Sequence, residues 1–328
     1  MDFMYTETDH LAFVWHKINT GKDAEIVRVY ADIPKVCIPE EIEGHKIVSV
    51  SAYCFSEINK IKNSSVTNLS AVQSGRLCEF CGDYIESIVL PDNVKKVGNN
   101  AFYNCHKLEI VETGANLREV GSDIFMNCTS FSKLYIRCRA DMPNGLKQLI
   151  SRINSNIEVY FYDRDSISAM IIYPEYTDSY DEIAPAHIFG RNITGEGFRA
   201  RQCFTNNILD LKQYDSIFDK ASIEEGISTI YKMALGRLMY PFMLSSEAKN
   251  RYEIYLKCYQ KEIMEILVSD RKLSELHFMC INRYARASGI DSAVIKASSS
   301  GWGEGAASLL KWKHEFIEDA KKSRYDFG

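Results

Sequence analysis

Residues 85–135 repeat themselves at a fixed step of 23 residues. The apolar residues Ile88, Val111 and Leu134 are separated by this step. Further pairs recur in the same register: Val94 with Leu117, Val97 with Val120, Gly98 with Gly121, Phe102 with Phe125, and Cys105 with Cys128. A repeat this short has no core of its own and buries its apolar face on the next repeat, so the pattern predicts a solenoid.

The sequence on either side of this stretch predicts further parts of the same solenoid. The run Val36-Cys37-Ile38-Pro39 has the order of features of Ile88-Val89-Leu90-Pro91, which indicates a variant repeat. After residue 135 we expect one more turn, with a strand over residues 157–161. Residues 11–29 hold two apolar, β-branched runs around a turn-like segment, which predicts a hairpin that covers one open end of the solenoid.

The repeat columns also resemble a known family. The run Ile88-x-Leu90-Pro91, Val94, Val97-Gly98, Ala101-Phe102, Cys105, Leu108 resembles the BspA-type leucine-rich repeat, and Val120-Gly121, Phe125 and Cys128 repeat it. The resemblance covers roughly residues 33–161. It implies a right-handed coil of short strands, one per repeat, stacked into a parallel sheet. It also implies an adhesive or protein-binding module, because family members are mostly described in these terms.

Composition and charge narrow the class of protein. The 328 residues suffice for two domains, and 46% hydrophobic with 25% charged residues is an ordinary globular balance. Lys and Arg number 39 against 44 Asp and Glu, so the net charge of −5 argues against a nucleic-acid partner. The start of the sequence lacks the pattern of a signal peptide, and no apolar run approaches the ~20 residues of a membrane span. We therefore expect a cytoplasmic protein without a membrane partner.

Strand alternation predicts which residues of the repeat sheet face outwards. If Ile88 and Leu90 point into the core, Val89 and its equivalents in later repeats lie on the open face. Exposed aromatic residues on a rigid sheet favour protein binding, since they add contact area with little side-chain entropy to lose. Alternatively, Tyr135 and Tyr160 pack against the C-terminal half of this chain. The predicted partner-binding residues are Val89, Ile110, Glu112, Lys133, Tyr135, Glu158 and Tyr160.

Residues 163–206 have a different composition. Acidic residues and tyrosines crowd the stretch between Pro174 and Pro185, which predicts an extended, solvated connector. The following residues combine glycines with Arg191, Arg199 and Arg201. Two interpretations remain for these arginines: they bind an anion, or they belong to a structured loop that packs on the end of the solenoid.

The remainder of the chain predicts helices. Ser222-Ile223-Glu224-Glu225 is typical of a capping box, with Ser222 as N-cap and Ile223 on the buried face of a helix that Pro241 ends. Further helices are predicted over residues 247–268 and 272–287, with Gly289 as the stop. The predicted fold is therefore α+β, with a repeat domain over residues 1–162, a connector over 163–206 and an all-α domain over 207–328.

The sequence contains no catalytic motif and predicts neither a metal nor a cofactor. Cys105 and Cys128 share one repeat column, where small buried thiols pack well, and we interpret them as reduced core residues. The pair Cys78-x-x-Cys81 lacks the second pair of a zinc site, which favours structural thiols. The seven histidines show no metal-binding spacing.

Two hypotheses about function follow. The first is a non-enzymatic cytoplasmic scaffold or adaptor that binds another protein through the open face of the repeat sheet. The alternative is a hydrolase or transferase with an unrecognised site at the domain junction, near the three arginines and Cys203, with His187 as a candidate base.

Overall fold

The computed structural model describes residues 4–7, 10–58, 72, 74–183 and 188–318. The chain separates into two compact units, Met1–Asp210 and Leu211–Gly328. The N-terminal part is a β-solenoid of about five turns, and the C-terminal region is helical. The predicted α+β class, a repeat solenoid followed by helices, is confirmed. None of the helices in the described ranges is long and apolar enough to cross a membrane.

Two sheets run along the solenoid. The repeat sheet has the spatial order β14-β13-β12-β10-β8-β4, and all its neighbours are parallel except β14 with β13. In the second sheet β3, β6, β9 and β11 are parallel, and β1 and β2 continue it as antiparallel strands. The strands are β1 (Met4–Glu7), β2 (Leu11–Ile18), β3 (Asp23–Ala31), β4 (Lys35–Cys37), β5 (Glu41–Ile42), β6 (His45–Val50), β7 (Cys78–Glu79), β8 (Ser87–Val89), β9 (Lys96–Val97), β10 (Ile110–Gly114), β11 (Glu119–Val120), β12 (Lys133–Arg137), β13 (Ile157–Asp163), β14 (Ser166–Tyr173), β15 (Thr177–Ile183), β16 (Ile188–Thr194), β17 (Phe204–Thr205) and β18 (Ile208–Leu209).

Residues that are 23 positions apart in the sequence lie opposite each other on neighbouring strands of the repeat sheet. Val111 lies opposite Ile88 on one side and opposite Leu134 on the other. Val36 and Val159 extend this column at its two ends, and all five side chains are buried. Burying an aliphatic side chain of this size stabilises a fold by about 1.5–3 kcal/mol. The predicted hairpin is also present, since β2 pairs with β3 and β3 continues the second sheet next to β6.

A second column fills the core with aromatic rings and thiols. Phe102 stacks on Phe55, with ring centroids 4.7 Å apart, and on Phe125, with centroids 5.5 Å apart. The Cys105 thiol donates to the carbonyl oxygen of Phe55 at 3.2 Å, and the Cys128 thiol donates to that of Phe102 at 3.0 Å. Both cysteines are free, Cys105 is buried and Cys128 is half-buried, which agrees with their interpretation as packing residues.

The repeated glycines let successive turns approach closely. A Cβ on Gly98 would lie 2.4 Å from the backbone nitrogen of Ala52, and one on Gly121 would lie 2.4 Å from that of Asn99. Neither distance is compatible with a side chain unless the backbone shifts. Both glycines donate their N–H to the preceding turn, to the carbonyls of Val50 and Val97. Glycine at this column is therefore required by contact between turns.

The segment predicted as an extended connector, residues 163–206, contains regular structure. Its strand β14 pairs with β13 of the repeat sheet, and β15 pairs with β16 as a two-stranded hairpin. Pairing satisfies the backbone hydrogen-bonding groups that a free connector would expose to water. The acidic residues do not prevent it, because Asp178 on β15 forms an ion pair with Arg191 on β16. The domain boundaries at 162 and 206 stay predictions.

The helical part differs from the sequence prediction at its first helix. Ser222 is not an N-cap: it lies inside α4, where its hydroxyl donates to the Asp219 carbonyl at 2.7 Å, and Ile223 is 84% exposed. Glu225 is extended, and a new helix begins at Ile227. The helices are α1 (Leu146–Ile150) and α2 (Gly197–Ala200) in the first unit, then α3 (Leu211–Ser216), α4 (Phe218–Glu224), α5 (Ile227–Met239), α6 (Ser246–Cys258), α7 (Gln260–Ser269), α8 (Leu273–Ile281), α9 (Ala287–Ser299) and α10 (Gly303–Lys313).

Two further helix predictions are wrong. The helix predicted over residues 247–268 is divided at Tyr259 into α6 and α7. Gly289, predicted as a helix stop, lies buried inside α9. A Cβ at this position would be 1.8 Å from the side-chain oxygen of Gln260, so the glycine lets α9 pack against the start of α7. The glycine at position 289 is therefore explained by close contact between helices and not by the end of a helix.

A charged pair lies in the core of the helical unit. Arg237 donates to both carboxylate oxygens of Asp215, at 2.8 and 3.0 Å, and the Tyr252 hydroxyl donates to the same carboxylate at 2.7 Å. All three side chains are buried. Burial lowers the pKa of Arg237, but the hydrogen bonds to Asp215 and the negative charge of this carboxylate together raise the pKa overall. Removing one partner would leave the other as an uncompensated buried charge.

Substitution of the repeated glycine tests the contact between turns. We expect Gly121→Ala to lower the free energy of unfolding by about 2 kcal/mol, because the new methyl group overlaps the backbone of the preceding turn. Gly303→Ala is the matched control, since no atom lies within 4 Å of its Cβ position. Urea denaturation followed by circular dichroism measures both. Equal stability of the two variants would show that close contact between turns does not require glycine at this position.

Candidate functional site

All seven predicted partner-binding residues lie on one face of the repeat sheet. Ile110, Lys133 and Glu158 are opposite one another on neighbouring strands. A second row, beginning at Val89, contains Glu112, Tyr135 and Tyr160 in direct register. The core residues between these rows are buried, whereas the seven outward residues are half-buried. The structure thus brings the predicted residues together, and their role in binding stays a prediction.

Three tyrosine rings stack on this open face. The rings of Tyr135 and Tyr160 are 4.8 Å apart between centroids and 14° from parallel, and Tyr162 lies 6.0 Å from Tyr135. The Tyr160 hydroxyl donates to the Glu158 carboxylate at 2.7 Å. Burial raises the pKa of Tyr162, and the charge of Glu112 adds to this effect. Stacking and hydrogen bonding hold the rings in place before any partner arrives.

Arg137 belongs to the same face, although the sequence analysis missed it. It follows Tyr135 by two positions on β12, so strand alternation was the signal that could have identified it. Its guanidinium donates to Asp92 and to Glu112, both at 2.8 Å, and to the Leu90 carbonyl. Burial lowers the pKa of Arg137, but its hydrogen bonds to the two carboxylates, together with their negative charges, raise it overall. Arg137 thus holds three turns of the solenoid together beside the tyrosine stack.

The arginines predicted as an anion site are engaged with the protein itself. Arg191 forms a two-point ion pair with Asp178, at 2.9 and 2.7 Å, and its guanidinium lies 5.4 Å from the Phe198 ring. The hydrogen bond to Asp178 raises the pKa of Arg191, and the same bond lowers the pKa of Asp178. Arg199 is exposed, and its Nε lies 3.7 Å from the Glu196 carboxylate.

The buried side chain of Arg201 is surrounded by groups of the protein itself. Its guanidinium lies 5.0 Å from the Tyr176 ring, and burial lowers its pKa to about 10, which still leaves it charged at neutral pH. Its contacts connect the turn after α1 to the end of β14 and to α2. An anion site formed by the three arginines stays a prediction. The hydrogen-bond acceptors of Arg201 are the carbonyl oxygens of Ile153, Ser155, Pro174 and Gly197.

The residues named for the enzyme alternative show structural contacts. The buried Cys203 thiol donates to the Arg199 carbonyl at 3.4 Å, and His187 lies outside the described residues. All ten cysteines are free thiols. Burial raises the pKa of Cys81 to about 11, which keeps this thiol protonated at neutral pH. Within the described ranges, no group of three or more His, Cys, Asp or Glu residues is arranged to hold a metal ion.

Comparison with known families supports the repeat assignment. Residues 78–148 match the family model described as a BspA type leucine rich repeat region of six copies. The match includes β8, β10 and β12 and confirms the resemblance seen in the repeat columns. Repeats of this family are generally protein-binding or surface-adhesive. The search of curated proteins and the search of solved structures each return no match.

Replacement of Arg137 tests its role in holding the open face. We expect Arg137→Met to lower the free energy of unfolding by about 1–3 kcal/mol, because it leaves Glu112 without its donor on a half-buried surface. Arg139→Met is the control, since it removes an exposed pair with Asp141 and should cost less than about 0.5 kcal/mol. Urea denaturation of both variants gives the comparison. If Arg137→Met lowers the free energy of unfolding no more than Arg139→Met does, Arg137 does not hold the open face.

Proposed function

We propose that this BspA-type leucine-rich repeat solenoid is an interaction module that binds another protein through the open face of its repeat sheet. The observation that carries the proposal is the row of stacked tyrosines, Tyr135, Tyr160 and Tyr162, on that face. The general character of the repeat family, protein binding or surface adhesion, supports the same function.

The physical support is the preorganisation of the tyrosine rings. Binding costs free energy when side chains must be ordered at the interface, by about 0.5–1.5 kcal/mol for each rotamer-rich side chain. Here the rings are already ordered by stacking and by the hydrogen bond from Tyr160 to Glu158. Tyrosine and arginine are enriched among residues that dominate binding energy. An aromatic patch beside Arg137 thus contains the residue types that are enriched at protein interfaces.

A cytoplasmic scaffold or adaptor role is the finer part of the proposal. Its support is the cysteine content, because ten cysteines without a disulfide are typical of a protein from a reducing compartment. Cell fractionation with surface-protease treatment tests it. We expect the protein in the soluble fraction and protected from protease. Digestion of the protein on intact cells would contradict the cytoplasmic role and would indicate surface adhesion.

Removal of the rings from the open face tests the binding site. We expect the double variant Tyr135→Thr with Tyr160→Thr to lose about 30-fold in partner recovery from native cell extract, because the stacked pair acts as one hot spot and the loss of a hot spot costs about 2 kcal/mol of binding free energy. Threonine keeps the strand propensity, so the melting temperature should fall by only about 2–4 °C. Quantitative mass spectrometry of the captured proteins gives the measurement.

The matched control is Tyr180→Thr, which removes an exposed tyrosine from β15, outside the repeat sheet. It should recover the same partners as the unchanged protein. A partner that the double variant retains at full yield would show that the open face is not the binding site.

A further inference from the structure

A cavity lies between two consecutive turns near the C-terminal end of the solenoid. Its volume is about 310 Å³, at the lower end of the range of small-molecule sites. One wall comes from the loop that contains Phe125, Asn127 and Phe131, and the other comes from Arg152 and Ile153 after α1. The cavity is separate from the open face of the repeat sheet.

The cavity occurs where the repeat pattern ends. One turn earlier, the backbone N–H groups of Phe102 and Asn104 donate to carbonyls of the following turn, both at 3.0 Å. The equivalent residues 23 positions later are Phe125 and Asn127. The chain beyond them forms the short helix α1 instead of another loop of the same shape. Within the described part of the chain, the backbone N–H groups of Phe125 and Asn127 have no acceptor.

The aromatic column ends at the same place. Phe125 stacks on Phe102, but the residue 23 positions further on is Gln148. Phe131 packs against Phe125 instead, with ring centroids 4.4 Å apart and the planes tilted by 32°. These two rings, with Ile153, form the apolar part of the cavity lining.

Arg152 supplies the positive charge of the cavity. It is exposed, and among the described residues it has no ion-pair or side-chain hydrogen-bond partner. No acidic residue is among the described residues that line the cavity. A guanidinium group presents several donors in a fork that matches a carboxylate. In the described part of the chain, the guanidinium of Arg152 and the two backbone N–H groups are therefore hydrogen-bond donors without acceptors, and they lie beside the apolar part of the cavity lining.

We propose that this cavity binds a carboxylate carried on an aromatic or similarly flat apolar group. The carboxylate accepts hydrogen bonds from Arg152 and from the backbone N–H groups of Phe125 and Asn127, and the apolar group packs on the two phenylalanine rings. A free aromatic acid and the C-terminal residue of a peptide share this chemistry. The site is independent of the partner surface proposed for the repeat sheet.

Benzoate binding to the full chain tests the proposal. We expect saturable binding with a Kd on the order of 1 mM, since the probe is small. Benzamide, which has the same shape without the charge, should bind at least about tenfold more weakly, and Arg152→Gln should weaken benzoate binding similarly. Lys147→Gln, which removes the charge of an exposed lysine on α1, is the control and should bind benzoate unchanged. Inorganic phosphate, which has no apolar part, should bind more weakly than benzoate.

Amide chemical shifts locate the probe. Benzoate should shift the backbone amide signals of Phe125 and Asn127 in the unchanged protein and not in Arg152→Gln. A short peptide that ends in phenylalanine, with a free or an amidated C-terminus, distinguishes the two sources of the carboxylate. Tighter binding of the free-acid peptide than of benzoate indicates a chain terminus, and the reverse indicates a small acid. Absence of saturation up to about 50 mM benzoate, or equal binding by Arg152→Gln, would overturn the proposal.

Discussion

The hydrogen bonds between successive turns are the constraint on which the solenoid depends. Each turn donates to and accepts from its neighbours at equivalent positions, as when Phe102 donates to the next turn and Gly121 to the preceding one. Turns of equal length and shape keep these bonds at equivalent positions, and the step of 23 residues is kept in this way across residues 85–135. The same constraint requires glycine where the backbones nearly touch, and it stacks Phe55, Phe102 and Phe125 in one column. A shift of one turn against the next would disrupt hydrogen bonding and core packing together.

The open face is a consequence of this register. Because equivalent residues are stacked about one strand spacing apart, an aromatic residue at one position of β12 meets another at the same position of β13. Tyr135 and Tyr160 are therefore held as a pair, and Arg137 reaches back across two turns to Asp92. The proposed cavity has the opposite origin. It lies where the repeat of 23 residues ends, and the backbone donors of the last regular loop have no acceptors from α1.

Much of the solenoid was predictable because its signal is repeated. The pairing of Ile88, Val111 and Leu134 followed from spacing alone, and strand alternation then placed all seven outward residues on one face. The helices were less predictable because their signals are local and ambiguous. Ser222 has the sequence of a cap, yet its hydroxyl bonds within α4, as serine does in many helices. Gly289 has the sequence of a stop, yet it lies where two helices need to approach closely. At Gly289, packing against another helix overrode the local preference.

Spacing and alternation in the amino-acid sequence were enough to establish the repeat fold, its buried column and its outward row, since a periodic backbone imposes the same period on its side chains. Contacts between distant segments were established only by the tertiary structure. Arg201 was a candidate ligand group in the sequence, but the folded chain surrounds it with four carbonyl oxygens and buries it. No sequence motif distinguishes Arg152. In the folded chain its side chain lines a cavity that has no carboxylate among the described residues. The reason is that a charged side chain is satisfied by whatever segment packs beside it, and periodicity does not encode that neighbour.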